Sequence, residues 1–545
     1  MTNSNPPDAL ATVDAATLKQ WLHDGGEIAL LDVREHGQYG EGHLFYAVPL
    51  PYSRLEIEAP RLLPSVSVRA VVYDDDGEGV SGAAARALRS LGYAQVQVLQ
   101  GGVSAWRDAG YAVFAGVNVP SKTFGELAEL ALHTPRISAQ DLAERQARGD
   151  NLVVLDGRPL QEFAKMSIPG AICCPNGELA LRAERIAPDP ATTIVVNCAG
   201  RTRSIIGAQT LINLGVPNPV YALENGTQGW YLADLPLEHG KRAAYPAEGL
   251  EGEALERQRA RAQDLARTHG VAEVDAETAT AWLSLQDRST YLCDVRTPEE
   301  FAAGSLPGAQ HTPGGQLIQA TDQFVAARGA RLVLFDAEGV RAPVVASWLR
   351  QLGWDAYVLK EGVRADVRAS RAARPVIEAL PEVRPAALAQ RLEQGARVID
   401  VRGSMAYRAA HLRGAEWAIR PGLARPGLTR PGLAHAAIPS DTPVVFVADD
   451  PAVAALAGQA LREGGHGGEQ AWLRWDAQAL RDAGAALDAS PDAPPDAQCI
   501  DYLFFVHDRH DGNKDAARQY LAWEVDLVSR IDAAERAAYR LPASA

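Results

Sequence analysis

Cys198 sits in Val195-Val196-Asn197-Cys198-Ala199-Gly200-Arg201-Thr202-Arg203-Ser204, where an apolar run meets a short Gly- and Arg-bearing loop and then a helix-forming stretch from Ser204 to Leu214. That order predicts a strand, a loop and a helix, with a thiol at the strand's carboxyl end. Loop backbone N–H groups, the positive end of a helix and two guanidinium groups would all favour thiolate over thiol there. The predicted chemistry is nucleophilic attack by Cys198 in an anion pocket lined by Ala199, Gly200, Arg201, Thr202, Arg203 and Ser204.

The surrounding architecture recurs four times. A strand ending in Asp-x-Arg is found at Leu31-Asp32-Val33-Arg34, Leu155-Asp156-Gly157-Arg158, Cys293-Asp294-Val295-Arg296 and Ile399-Asp400-Val401-Arg402. Three copies keep one spacing from that Asp to the position of Cys198, namely 32 to 74, 156 to 198 and 294 to 336; the fourth runs longer, from 400 to 448. Those positions hold Asp74, Cys198, Asp336 and Ala448, so only the second copy carries a nucleophile. Because the Asp of Asp-x-Arg persists in copies without a thiol, it reads as a structural partner of the nearby Arg rather than a catalytic acid. The extra length of the fourth copy contains Arg420-Pro421-Gly422-Leu423, echoed at 425–428 and 430–433, and its Pro and Gly predict a surface loop.

Composition fits a string of globular domains. The chain has 545 residues, 47% of them hydrophobic, and no apolar run approaches the length of a membrane span. Its 53 basic and 68 acidic residues give a net charge of −15, which argues against nucleic acid and anionic membranes as partners. The first residues have neither a basic start nor an apolar core, so no signal peptide is expected. Five cysteines without a framework spacing point to a reducing, cytoplasmic compartment.

Each copy reads as helix, Asp-x-Arg strand, variable loop, second strand, helix and further strand. In the second copy Ser138-Ala139-Gln140-Asp141 opens the helix and 151–155 forms the strand. Near-continuous apolar strands alternating with helices imply an α/β fold with parallel sheets covered on both faces, whose ligands lie beyond the strands' carboxyl ends. The helix after each loop closes on Leu91-Gly92-Tyr93, Leu214-Gly215-Val216 or Leu352-Gly353-Trp354, with Gly suited to a left-handed cap. The expected domains are residues 1–118, 119–245, 246–375 and 376–490, followed by a tail over 491–545.

The Asp-x-Arg strand, the Ser167-Ile168-Pro169-Gly170-Ala171 and Ser305-Leu306-Pro307-Gly308-Ala309 turns, the cysteine loop and the Gly101-Gly102 ending with Trp106 together resemble rhodanese domains. The resemblance runs to about residue 490. It implies four tandem rhodanese-like domains and, for the copy with Cys198, sulfurtransferase chemistry. A sulfane sulfur would pass from a donor such as thiosulfate to the cysteine as a persulfide, then to a thiophilic acceptor such as cyanide or a thiol, with a protein sulfur acceptor as a further partner. Neither metal nor cofactor is implied. The third copy lacks the Trp after Glu361-Gly362, and the fourth lacks most of that motif.

Loop length separates two chemistries that the resemblance allows. The related phosphatases need Cys, five residues and then Arg, whereas Arg203 lies five positions after Cys198 and Ser204 follows, a six-residue loop that favours sulfur. Mercaptopyruvate enzymes typically carry a Cys-Gly-Ser-Gly-Val-Thr type of loop. Ala199, Arg201 and Arg203 depart from it, and two cations suit a compact dianion such as thiosulfate. The competing readings are a binding scaffold of degenerate modules and a persulfide carrier serving a thiol-metabolising enzyme.

Two other features read more plainly. Cys173-Cys174 is expected to be core packing rather than a sulfur relay. In the tail, Tyr502 to Val506 looks strand-like, His507, Asp508, His510 and Asp511 match no strong metal pattern and read as a polar turn, and 514–540 reads as one helix. The tail is expected to pack over a seam beside the second domain.

Overall fold

A computed structural model describes residues 10–285, 287–369, 376–424, 438–504 and 513–542. The 425–433 repeats and the cluster at 507–511 lie outside them.

The second sheet shows how the chain builds each unit. Its order is Arg136–Ile137, Val220–Leu223, Thr193–Asn197, Leu152–Asp156 and Ile172–Cys173, all parallel. Thr193–Asn197 is buried along its whole length. Val195 faces one apolar cluster, while Ile194 and Val196 face another. Helices cover both faces, which is why this strand does not alternate with polar residues. Ser138 accepts a hydrogen bond from the Asp141 amide and starts helix Ala139–Arg148, as its capping signal predicts.

The first sheet (Ala11–Val13, Val96–Leu99, Arg69–Tyr73, Ile28–Asp32, Val48–Pro49) and the third (Ala272–Val274, Asp355–Leu359, Arg331–Phe335, Thr290–Asp294, Gln310–His311) repeat this order. The fourth sheet places Glu416–Trp417, Arg397–Asp400, Val444–Ala448 and Gln470–Arg474 in the corresponding sequence. The first sheet also receives Ala327–Arg328 from the third unit, antiparallel to Ile28 and Ala29.

In every unit the Asp-x-Arg pair is a buried clamp. Arg158 donates to Asp156 at 2.8 and 2.7 Å and to the Met166 carbonyl at 2.8 Å. Arg34, Arg296 and Arg402 repeat this on Asp32, Asp294 and Asp400, each also holding a carbonyl eight residues further on. The pair ties the end of its strand to the following loop. The glycines at the helix ends adopt positive φ, +96° at Gly92, +66° at Gly215 and +95° at Gly353, a conformation that side chains resist.

The tail staples the units together. Asp501 accepts from the Ser404 amide of the fourth unit, and the Ile500 carbonyl accepts from Gln38 of the first. Glu535 and Asp532 pair with Lys19, and Tyr539 donates to the Pro120 carbonyl. Two tail expectations need correction. Tyr502 to Phe504 join no sheet, their backbone being committed to contacts such as Tyr502 N–H to the Cys499 carbonyl. The single helix is two, Lys514–Arg530 and Ala533–Ala537, because Asp532 caps a new start through the Glu535 amide.

Candidate active site

Cys198 follows strand Thr193–Asn197 directly, and helix Thr202–Asn213 begins four residues later, two residues ahead of the expected start. Its side chain lies at the base of the loop, 2% exposed, and Ser204 Oγ donates to Sγ at 3.1 Å. The loop is buttressed from below. Thr227 donates to the Cys198 carbonyl through its amide at 2.8 Å and its hydroxyl at 3.0 Å, and the Gln228 amide donates to the Ala199 carbonyl at 3.0 Å. Gly226 is at φ +55°, and a Cβ there would stand 2.4 Å from the Cys198 carbonyl oxygen. Gly102 and Gly362 make the same approach to the carbonyls of Asp74 and Asp336, so the second Gly of that motif exists to seat the loop. Asn197 bonds Asp156 at 2.6 Å and Thr227 at 3.1 Å, linking the clamp to the loop. Asn176 holds the Arg203 carbonyl at 2.9 Å.

The degenerate copies show where the loop's backbone donors point. In the third, the Asp336 carboxylate accepts from the amides of Gly339, Val340 and Arg341 at 3.0, 2.9 and 2.7 Å. In the first, Asp74 accepts from Gly77 and Ser81 at 2.6 and 2.8 Å. Backbone donors thus converge on an anion carried by the side chain at this position. The fourth copy has no such cradle: only Asp449 and Asp450 separate strand Val444–Ala448 from helix Pro451–Glu463.

The two loop arginines are both engaged by carboxylates. Arg201 pairs with Glu126 at 2.7 and 2.9 Å, with Glu129, and with Asn225 at 3.3 Å. Burial disfavours its charge, but these glutamates outweigh burial and hold its pKa above the ordinary arginine value. Arg203 grips Glu162 at 3.0 and 2.8 Å, and burial is likewise outweighed by Glu162, with the adjacent Cys198 adding to the effect. Of the two loop cations, Arg201 is locked in a buried pair, while Arg203 faces a glutamate that is 40% exposed. Glu126 and Glu129 belong to helix Val119–Leu132 between the first two sheets. No motif marked them, because each lies more than 70 residues from Arg201 in sequence.

Cys173 and Cys174 are buried on opposite faces of the sheet. Burial pushes the Cys173 thiol up to about 12 and the Cys174 thiol well above its ordinary value. Both are packing residues. Among the described residues no group of three or more His, Cys, Asp or Glu could hold a metal, and no helix is long and apolar enough to cross a membrane.

The rhodanese-like domain family model matches residues 14–109, 138–233 and 277–369. A thiosulfate sulfurtransferase from Pseudomonas aeruginosa is 38% identical, and its crystal structure aligns with a TM-score of 0.87 over 97% of this chain and 99% of that one. SseB of Mycobacterium tuberculosis, a putative thiosulfate sulfurtransferase by name, is 29% identical over 31% of this chain and 71% of its own length. An uncharacterized protein of Synechocystis is 34% identical over 20% of this chain and 59% of its own. The chain belongs to the rhodanese-like domain family and is a rhodanese-type transferase.

Proposed function

We propose that the protein moves a sulfane sulfur from thiosulfate, through a persulfide on Cys198, to a thiophilic acceptor. The Cys198 thiolate attacks the outer sulfur of thiosulfate, the S–S bond to the sulfonate breaks, and sulfite leaves with the bonding pair. Cyanide or a thiolate then takes the terminal sulfur and returns the thiolate. Charge balances in each step, and no redox partner is needed. Amides of Ala199 through Ser204 bind the anions, and the Arg203 side chain, tied to a half-exposed carboxylate, is the cation placed to exchange partners with the donor.

The observation that carries this reading is the cradle. Related loops close on a carboxylate at Asp74 and Asp336, and the second copy offers a sulfur nucleophile at the same place. The same observation supports non-catalytic roles for residues 1–118 and 246–375, whose cradles hold their own anion, and for 376–490, which has lost the loop. A place in the cytoplasm is part of the proposal, supported by five free cysteines. Mass spectrometry of Cys198 after thiosulfate treatment tests it: one added sulfur atom is expected, and an unmodified Cys198 beside full turnover overturns it.

A further inference from the structure

The helix Lys514–Arg530 reaches the cysteine loop from 322 residues away in sequence. Thr202, the first residue of the helix after Cys198, donates its hydroxyl to Glu524 Oε1 at 2.8 Å. Lys122 donates to the same oxygen at 3.1 Å and to the Tyr520 hydroxyl, with its ammonium 4.9 Å from the Tyr520 ring centre and 5.6 Å from that of Trp523. The side chains of Lys122 and Glu524 are 5% and 1% exposed. At the crest of the loop, a methyl on Gly200 would stand 3.0 Å from Glu524 Oε2 and 3.5 Å from the Tyr520 ring.

A buried ion pair is a weak way to gain stability, since desolvating both charges consumes most of their attraction. Its rigid geometry is what it contributes, and here the geometry is spent on the loop. Donor groups that stabilise an anion act best when fixed in advance, and the Cys198 loop is six residues long with a glycine at its crest. The clamp and Gly226 fix it from below. Glu524 fixes it from above.

We propose that the helix Lys514–Arg530 completes the sulfur-transfer site, with Glu524 as a positioning residue that acts through Thr202 and Gly200. This rests on Cys198 being the sulfur carrier. The full-length protein is compared with Thr202→Val, which removes the hydroxyl and leaves the Lys122–Glu524 pair intact, and with the double variant Lys122→Met/Glu524→Met, which removes both charges of the pair together. Both are expected to form the Cys198 persulfide about 10- to 100-fold more slowly at saturating thiosulfate, with KM within about twofold of wild type. Lys122→Met/Glu524→Gln, whose amide oxygen still accepts from Thr202, keeps most of the wild-type rate. A folded Thr202→Val protein with the wild-type rate overturns the positioning role while leaving the sulfur carrier in place. A wild-type protein that forms no persulfide on Cys198 removes the underlying reading instead.

Discussion

Arg201 lies bidentate on Glu126, a glutamate of the helix that joins the first two sheets, so a residue of the candidate substrate loop also fastens that loop to the linking helix. Arg201→Ala should cost about 3 kcal/mol of stability, because it leaves buried Glu126 without its partner. Arg203→Ala should leave melting nearly unchanged and raise KM for thiosulfate, since Glu162 keeps access to water. Melting curves and steady-state kinetics on the two variants check the contrast, and equal behaviour would contradict it.

Cys198→Ser should lower thiosulfate-dependent turnover by about 10³-fold or more with the circular dichroism spectrum retained, because oxygen in place of sulfur forms no persulfide. Full activity in this variant would remove Cys198 from the mechanism.

Asp336→Ala should destabilise the third unit by about 1–3 kcal/mol, since the amides of Gly339, Val340 and Arg341 lose their acceptor. Thiosulfate or sulfate should restore part of the lost melting temperature by occupying the vacated cradle. In the first unit, Asp74→Cys should yield little persulfide, because Asp75, Asp76 and Glu78 surround the introduced thiol with negative charge. Robust persulfide formation in the Asp74→Cys protein at that position would show that loop charge counts for less than the backbone cradle.

Glu35 is 3% exposed and accepts from Ser53 through both oxygens at 3.2 and 2.8 Å. Burial pushes its carboxyl up to about 7. In the unfolded chain the group titrates near the ordinary glutamate value of 4.5, so between there and about pH 7 the folded protein holds the proton more tightly. Its contribution to stability is present in full below that window and declines as pH rises through it. Glu35→Gln should therefore raise the melting temperature at about pH 8 relative to wild type and lose that advantage by about pH 4.5. An advantage independent of pH would assign the effect to packing instead.

Native alkylation at neutral pH should leave Cys173 and Cys174 unmodified, since both thiols are buried and held protonated. Peptide mapping after iodoacetamide treatment checks this, and rapid labelling of either residue would reopen a relay role.

The sheets and the cysteine loop were legible because their determinants are local or periodic. The Asp-x-Arg strands, the glycine helix ends and the run from Val195 to Ser204 each state their structure within a dozen residues. Repetition also separated role from decoration: Asp156 recurs in units without a nucleophile and proves to be one half of a clamp. Glu126, Glu129, Lys122 and Glu524 were invisible for the opposite reason. They reach the loop only through tertiary packing, and a lone glutamate on a helix carries no mark of what it will face. The neutralisation of Arg201 could not be foreseen from the loop, and the tail's break at Asp532 was hidden by helix-forming residues on either side.

The strand Ala327–Arg328 completes an edge of the first sheet from about three hundred residues downstream. On a ribosome the first unit therefore emerges with the row of N–H and C=O groups beside Ile28 and Ala29 unpaired, and it waits for most of the third unit to be synthesised. An isolated amino-terminal fragment would carry this open edge permanently. Strand exchange between nascent copies is the hazard that such a layout creates, and synthesis of residues 327–328 is the moment at which it ends.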